Sequence, residues 1–366
     1  MVLVCLALGL VLPEVIIRWV LFSPTVWAQE LGADIRRAHY FADPDLEDAY
    51  WHLRHALDDS WKSDKSPPHD ARLGWGNGRF DPESREHMMQ DELPGRRPVL
   101  MYGASFVDCM TERPECFERL MRNSELGPEH CLRNYGVGGY GIDQVLLLMQ
   151  DSIDHYTEDD PVVVFGIVLD SDLERCVLGF RAWPKPRLRL VGGDLVGPEP
   201  VFDGGSKAYV AEKGIGIRSY AWRYLLHHDR MSNQKGWKDL LRGTEAKRAE
   251  QNDLIDAILF AMRDECESRG LDYFFLFFTS PRSLPPHDVP PQEERLTRLF
   301  LEEGVPFVHV RPYMMRAAEA YEEGVDALFI PAGPGQHHPN GEGNRVIFEA
   351  LRDGIEGRFT TQVELP

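Results

Sequence analysis

The feature that most constrains this chain is the run Val162 to Leu169 (VVVFGIVL), which follows Asp160-Pro161 and contains no polar residue. A β-branched run without polar alternation fits a central parallel strand buried on both faces. Comparable runs recur after residue 97. Pro98 to Gly103, His130 to Tyr135, Tyr273 to Phe278 and Val305 to Val310 all read as strands. Cys116 to Asn123, Ile142 to His155, Lys247 to Arg269 and Gln292 to Glu303 carry helical periodicity between them. The alternation predicts a three-layer α/β domain, a sandwich of helices on a mostly parallel sheet. Ligands of such sheets bind beyond the carboxyl ends of the strands, so functional residues are expected just after these runs.

Length and charge bound the rest. At about 150 residues per domain, 366 residues suggest two domains, or one large one with additions. Forty Lys and Arg against 59 Asp and Glu give a net charge of −19. Such a surface repels phosphate backbones, which argues against a nucleic-acid partner. Met1 to Phe22 is apolar except for Glu14 and Arg18, which are four apart and share a helix face. This is about the length that spans a bilayer core. Residues 1–28 therefore read as a signal anchor, or as a signal peptide cleaved after Val26-Trp27-Ala28, and either exports the remainder. A buried helix of a cytosolic fold is the plainer reading. Residues 29–97 are polar and form a lead-in or stalk, with Lys62 to Gly78 as loop and a short helix over Leu46 to Leu57.

Three constellations follow strand ends. Ser105, in Tyr102-Gly103-Ala104-Ser105-Phe106, stands at a tight strand-to-helix transition, where a hydroxyl can be exposed as a nucleophile. A serine there also serves as an ordinary helix cap. The stretch Asn134 to Gln144 contains Gly136, Gly138 and Gly141 in the GxGxxG spacing of a dinucleotide site. Arg133 and Asn134 in the preceding strand weaken that reading, and so does Asp170, which lies later than the usual acidic residue. Gly335 to Arg345 (GQHHPNGEGNR) places His337 and His338 in a loop before the apolar helix Val346 to Leu351. A histidine there suits a general base delivered to a strand-end nucleophile, whereas a solvated pair is the simpler alternative. Adjacent histidines diverge and no carboxylate partners are spaced to help, so no metal is expected, and nothing calls for a cofactor.

In this order the blocks resemble the SGNH/GDSL hydrolase superfamily over about residues 98 to 351. Gly103-Ala104-Ser105 stands where that family has Gly-Asp-Ser. Asn134 to Gly139 match Asn-x-Gly-[apolar]-x-Gly, and His338-Pro339-Asn340 match the last block. The resemblance implies a flavodoxin-like sandwich over 98–356 followed by a tail, 357–366. It also implies a serine esterase, O-acyltransferase or deacetylase acting on an acyl ester, and an acyl group carried by a cell-envelope glycan is the expected substrate. Ser105 would be the nucleophile and His338 the base. The N–H groups of Ser105 and Gly139 would line the oxyanion hole. The apolar leader is similar to anchors of exported members, which implies a membrane-held enzyme facing the periplasm or exterior.

Besides Ala104, two further blocks depart from the pattern. Where the family has an oxyanion-binding Asn, counting from Gly166 gives Asp170 and counting from Pro161 gives Ser171. An ionised Asp170 cannot donate a hydrogen bond, whereas Ser171 can. Gly335 and Gln336 occupy the place of the acid, leaving the Gln336 side chain as the expected orienter of His338. A catalytically degenerate, carbohydrate-binding relative is the alternative reading. An insertion at about 173–246 interleaves aromatic and basic residues, Trp183 to Arg187 and Tyr220 to Tyr224, which suit a sugar. Of Cys109, Cys116 and Cys131, two can pair, and the sequence does not say which.

Overall fold

The computed structural model describes residues 2–57, 67–88, 95–181, 183–227, 241–285, 289–333 and 335–361. Parts of the expected 62–78 loop, the 173–246 insertion and the 357–366 tail lie outside the described residues. The chain divides into two compact units. One comprises Met1–Trp75, Val177–Arg189 and Val196–Leu254, and the other Gly76–Cys176, Leu190–Leu195 and Ile255–Pro366.

The second unit is built on a five-stranded sheet. Its strands are β1 (Arg97–Gly103), β2 (His130–Gly136), β3 (Val162–Val168), β4 (Asp272–Phe278) and β5 (Phe307–His309). They lie in the order β5-β4-β3-β1-β2, and every neighbouring pair is parallel. The expected run Val305 to Val310 gives a shorter strand, because β5 is the edge and only Phe307–His309 register with β4.

Alternation along each strand sends side chains to opposite faces. Val99, Met101, Leu132, Val164 and Leu276 join one core with Phe117 of the helix Phe117–Asn123 and Ile347 of the helix Gly341–Ile355. In chain order the helices are α1 (Val2–Phe22), α2 (Val26–Leu31), α3 (Asp48–Leu57), α4 (Ser105–Asp108), α5 (Phe117–Asn123) and α6 (Ile142–Ser152). Then follow α7 (Gly205–Lys213), α8 (Tyr220–His227), α9 (Thr244–Ser268), α10 (Pro291–Glu303), α11 (Arg311–Ala318) and α12 (Gly341–Ile355). On the opposite face Tyr102 meets Ser152 of α6 at 2.8 Å, and Phe275 meets Phe300 of α10 edge-on at 4.9 Å between centroids. Helices thus cover both faces, giving the expected α/β/α sandwich. The strand order is that of flavodoxin-like sheets, 2-1-3-4-5.

The first unit is largely helical. Leu21, Phe41, Leu53, Ile217 and Tyr220 form its core. The two charges of α1 are used inside this unit: Arg18 Nε contacts Glu14 at 2.6 Å. Glu14 also accepts from Ser219 Oγ and the Ala221 N–H at the start of α8, each at 2.9 Å. Val11, Leu12, Val15, Ile16 and Trp19 leave about half of their surface exposed. Among the described residues no helix is long and apolar enough to cross a membrane. The segment expected as a lead-in is split: α2 and α3 belong to this unit, while Gly76–Met88 belongs to the second.

Candidate active site

The turn that carries Ser105 rests on a row of three glycines. Parallel registry places Gly103 of β1 beside Gly136 of β2 and Gly166 of β3. A Cβ on Gly103 or Gly166 would fall 2.4 or 2.5 Å from Val107 Cγ2, and one on Gly136 would fall 2.2 Å from Asp108 N. No side chain fits there, so α4 lies flat on the sheet just beyond the strand ends. Asn134, fully buried, braces this contact. Its Nδ2 donates to the Val107 carbonyl at 2.8 Å, and its Oδ1 accepts the Gly136 N–H at 2.9 Å. Ser105 opens α4 and is half-buried.

The histidine loop is held by main chain and by a cap. Asn340 caps α12, accepting the N–H groups of Glu342 and Gly343 at 3.0 Å, while its Nδ2 donates to the Ala327 carbonyl at 2.7 Å. The Ile330 N–H donates to the His338 carbonyl at 2.8 Å, and the Asn340 N–H to the Leu328 carbonyl at 3.0 Å. These contacts leave the His338 ring facing Ser105, with Nε2 2.8 Å from Oγ. Ser105 and His338 form a hydrogen-bonded pair.

The tautomer follows from the other ring nitrogen. Nδ1 lies 3.0 Å from the Gly335 carbonyl and 3.3 Å from the Gln336 carbonyl, both acceptors only. Nδ1 therefore carries the hydrogen and Nε2 offers its lone pair to the serine hydroxyl, as a general base requires. Phe106 packs between Phe278 and the His338 ring, at 5.7 and 5.3 Å.

Three expectations are corrected here. The orienter of His338 is the main-chain carbonyl of Gly335, with that of Gln336 behind it; the Gln336 side chain is exposed. Gly335 has φ +85°, and a Cβ there would lie 3.2 Å from both Ile330 and Met110, so this backbone does not readily take the family's aspartate. The Asp170 carboxylate is engaged by two serine hydroxyls, as an acceptor and not as a donor. Its Oδ2 accepts from Ser283 Oγ at 2.6 Å and from Ser280 Oγ, both beyond β4. The Ser171 hydroxyl donates to Asp172 at 3.2 Å. The dinucleotide reading of Gly136 to Gly141 also fails, because the space over Gly136 that a pyrophosphate would need is filled by the α4 backbone.

The glycine loop instead runs beside α4 and into α6. Gly139, at φ +88°, adopts a conformation that favours glycine. The Val137 N–H donates to the Gly103 carbonyl at 3.0 Å, and Arg175 donates to the Tyr140 carbonyl at 2.7 Å while pairing with Asp172. Asn77 and Arg79, which sequence reasoning left in the polar lead-in, also belong to the site. Asn77 Nδ2 donates to the Gly136 carbonyl at 2.5 Å. Arg79 contacts the Asp108 carboxylate at 3.1 Å and Glu118 at 2.7 Å. Only the closeness of Asn77 and Arg79 to another glycine pair hinted at an ordered turn there.

Elsewhere, Cys109 is bonded to Cys116, and Cys131 is a buried thiol. Of the aromatic and basic residues considered for sugar binding, Tyr220 and Lys185 are buried, Lys185 donating to the carbonyls of Leu178 and Pro186. Trp222 is half-exposed.

No family model and no curated protein matches the chain. Solved structures do resemble it. A putative acylhydrolase from Bacteroides fragilis is 14% identical, covering 73% of this chain and 91% of its own, with a TM-score of 0.34. An acetylxylan esterase from Geobacillus stearothermophilus is 13% identical, covering 72% and 96%, with a TM-score of 0.38. A GDSL-like lipase from Bacteroides thetaiotaomicron is 14% identical, covering 72% and 89%, with a TM-score of 0.35.

Proposed function

We propose that the chain is a serine hydrolase of the SGNH type that cleaves an acyl ester. The observation that carries this is the 2.8 Å contact between Ser105 Oγ and a His338 Nε2 whose partner nitrogen is committed to a carbonyl. Ser105 Oγ attacks the acyl carbon as its proton passes to His338 Nε2. The N–H groups of Ser105 and Gly139 receive the oxyanion. Collapse expels the alcohol, which takes the proton back from His338, and leaves an acyl ester on Ser105. Water then releases the acid, or a second alcohol accepts the acyl group.

The imidazolium formed on the way faces a carbonyl dipole rather than a carboxylate. Replacing the acid of a Ser-His-Asp triad by its amide costs about 10⁴-fold in a well-studied protease, so slow turnover is expected. An O-acyl group on a cell-envelope glycan remains the proposed substrate, and transfer rather than hydrolysis is the finer variant. We also place the enzyme at a membrane through α1, with the catalytic unit outside the cytoplasm. The Cys109–Cys116 bond supports an oxidising compartment, and the exposed apolar side chains of α1 support membrane association.

The test is p-nitrophenyl acetate hydrolysis by the wild type, Ser105→Ala and His338→Ala. Slow turnover lost in both variants is expected. A wild type no faster than Ser105→Ala would leave the carbohydrate-binding alternative as the better account. That alternative draws on the loss of the acid and of the Asn donor.

A further inference from the structure

We propose that Asp108 is a positioning residue whose carboxylate ties the Gly136–Gly141 loop, and with it the Gly139 N–H, to the helical turn that carries Ser105. This rests on the esterase reading above and names the device that would keep its two oxyanion donors in register.

Asp108 ends α4, one helical turn after Ser105, and its own N–H closes that turn on the Ala104 carbonyl at 2.9 Å. Its carboxylate accepts the backbone N–H of Gly138, the residue next to Gly139. Asn77 Nδ2 reaches the same carboxylate at 3.4 Å and Arg79 Nη2 at 3.1 Å. Arg79 also donates to the Asp108 carbonyl. The earlier part of the loop is held by neutral groups, since Asn134 takes the Gly136 N–H and Asn77 the Gly136 carbonyl. Asp108 is thus a charged link between nucleophile turn and glycine loop, and a charge-assisted bond to an N–H is roughly twice as strong as a neutral one.

The link is also sensitive to protonation. Burial raises the Asp108 carboxyl above its usual range, against the opposing pull of Arg79, the Gly138 N–H and Asn77. The charged groups around it are Arg79, from the segment before β1, and Glu118 of α5, which pairs with the far side of Arg79. Ser105, the partner of His338, stands on the same turn. Once protonated, Asp108 accepts the Gly138 N–H more weakly and loses its attraction to Arg79. The acid limb of activity should therefore contain a step from protonation of Asp108.

The experiment compares wild type, Asp108→Ala and Asp108→Asn in two ways. Asparagine keeps an acceptor oxygen and removes the titration. With p-nitrophenyl acetate, Asp108→Ala should lower kcat about 10- to 100-fold and change KM by less than about 2-fold, as displacement of an oxyanion donor does. Asp108→Asn should stay within about 5-fold of wild type and lose the Asp108 acid step. In the ¹⁵N-labelled protein, the Gly138 amide proton should shift as Asp108 titrates, and should not in Asp108→Asn. Equal damage by both substitutions, an effect confined to KM, or an Asp108→Ala enzyme as fast as wild type would overturn the proposal. So would a Gly138 amide that ignores the titration. A wild type with no esterase activity but a titrating Gly138 amide would refute the esterase reading while supporting the link itself.

Discussion

Gly136→Ala tests the glycine row with one methyl group. The new Cβ would lie 2.2 Å from Asp108 N, 2.6 Å from the Val107 carbonyl carbon and 2.7 Å from Asp108 Cα. All three are main-chain atoms, so no side chain can rotate away. Carbon atoms rest at about 3.5 to 4.0 Å, so α4 must move by roughly 1 Å or more. Overpacking of this kind costs about 1–3 kcal/mol. For a unit of this size that is about 2 to 12 °C in Tm. Because the moving element carries Ser105, a shift of about 1 Å should also slow acylation by roughly 100-fold. Gly138→Ala is the internal control: its Cβ would meet only Asp108 Oδ2, at 3.5 Å, an ordinary contact. Melting curves and p-nitrophenyl acetate acylation rates of both variants read the difference. Gly136→Ala with a wild-type Tm and rate, or Gly138→Ala equally impaired, would refute the packing argument.

Gln336→Ala should change the esterase rate by less than about 2-fold, whereas Gly335→Ala, forced into a left-handed conformation at a cost of about 1–2 kcal/mol, should slow it clearly. Reduction of Cys109–Cys116 opens a short loop whose closure is worth about 2.5 kcal/mol in the chain-entropy account, so a scan with reductant should show a lower Tm. Burial, helped by Arg133, lowers His87 from 6.5 to about 4, so its neutral form stabilises the fold above pH 6.5. That contribution, on the order of 3 kcal/mol, is lost as pH falls from 6.5 toward about 4, and His87→Phe should flatten the Tm profile across that window.

The sheet was legible because its central strands are apolar runs bounded by polar punctuation, and Val162 to Val168 left little choice. Edge strand β5 was overextended, since Val305 and Val310 are as buried as strand residues without registering with β4. Ser105 and His338 were legible from their blocks. The glycine row was not, because Gly103, Gly136 and Gly166 become neighbours only through strand register. The orienter escaped for a different reason: a main-chain carbonyl has no letter in the sequence, so the search for a side chain settled on Gln336. Asn77 and Arg79 were hidden in a segment whose polarity reads as solvent-exposed, although its polar groups serve Gly136 and Asp108.

The central claim is that Ser105 is a nucleophile activated by His338, and reaction with a fluorophosphonate tests it most directly. Intact-mass analysis of the wild type should show one phosphonyl adduct, and peptide mapping should place it on Ser105. The adduct should vanish in Ser105→Ala and form at least about 100-fold more slowly in His338→Ala. A wild type that gains no mass, or an adduct that maps elsewhere and persists in Ser105→Ala, would contradict it.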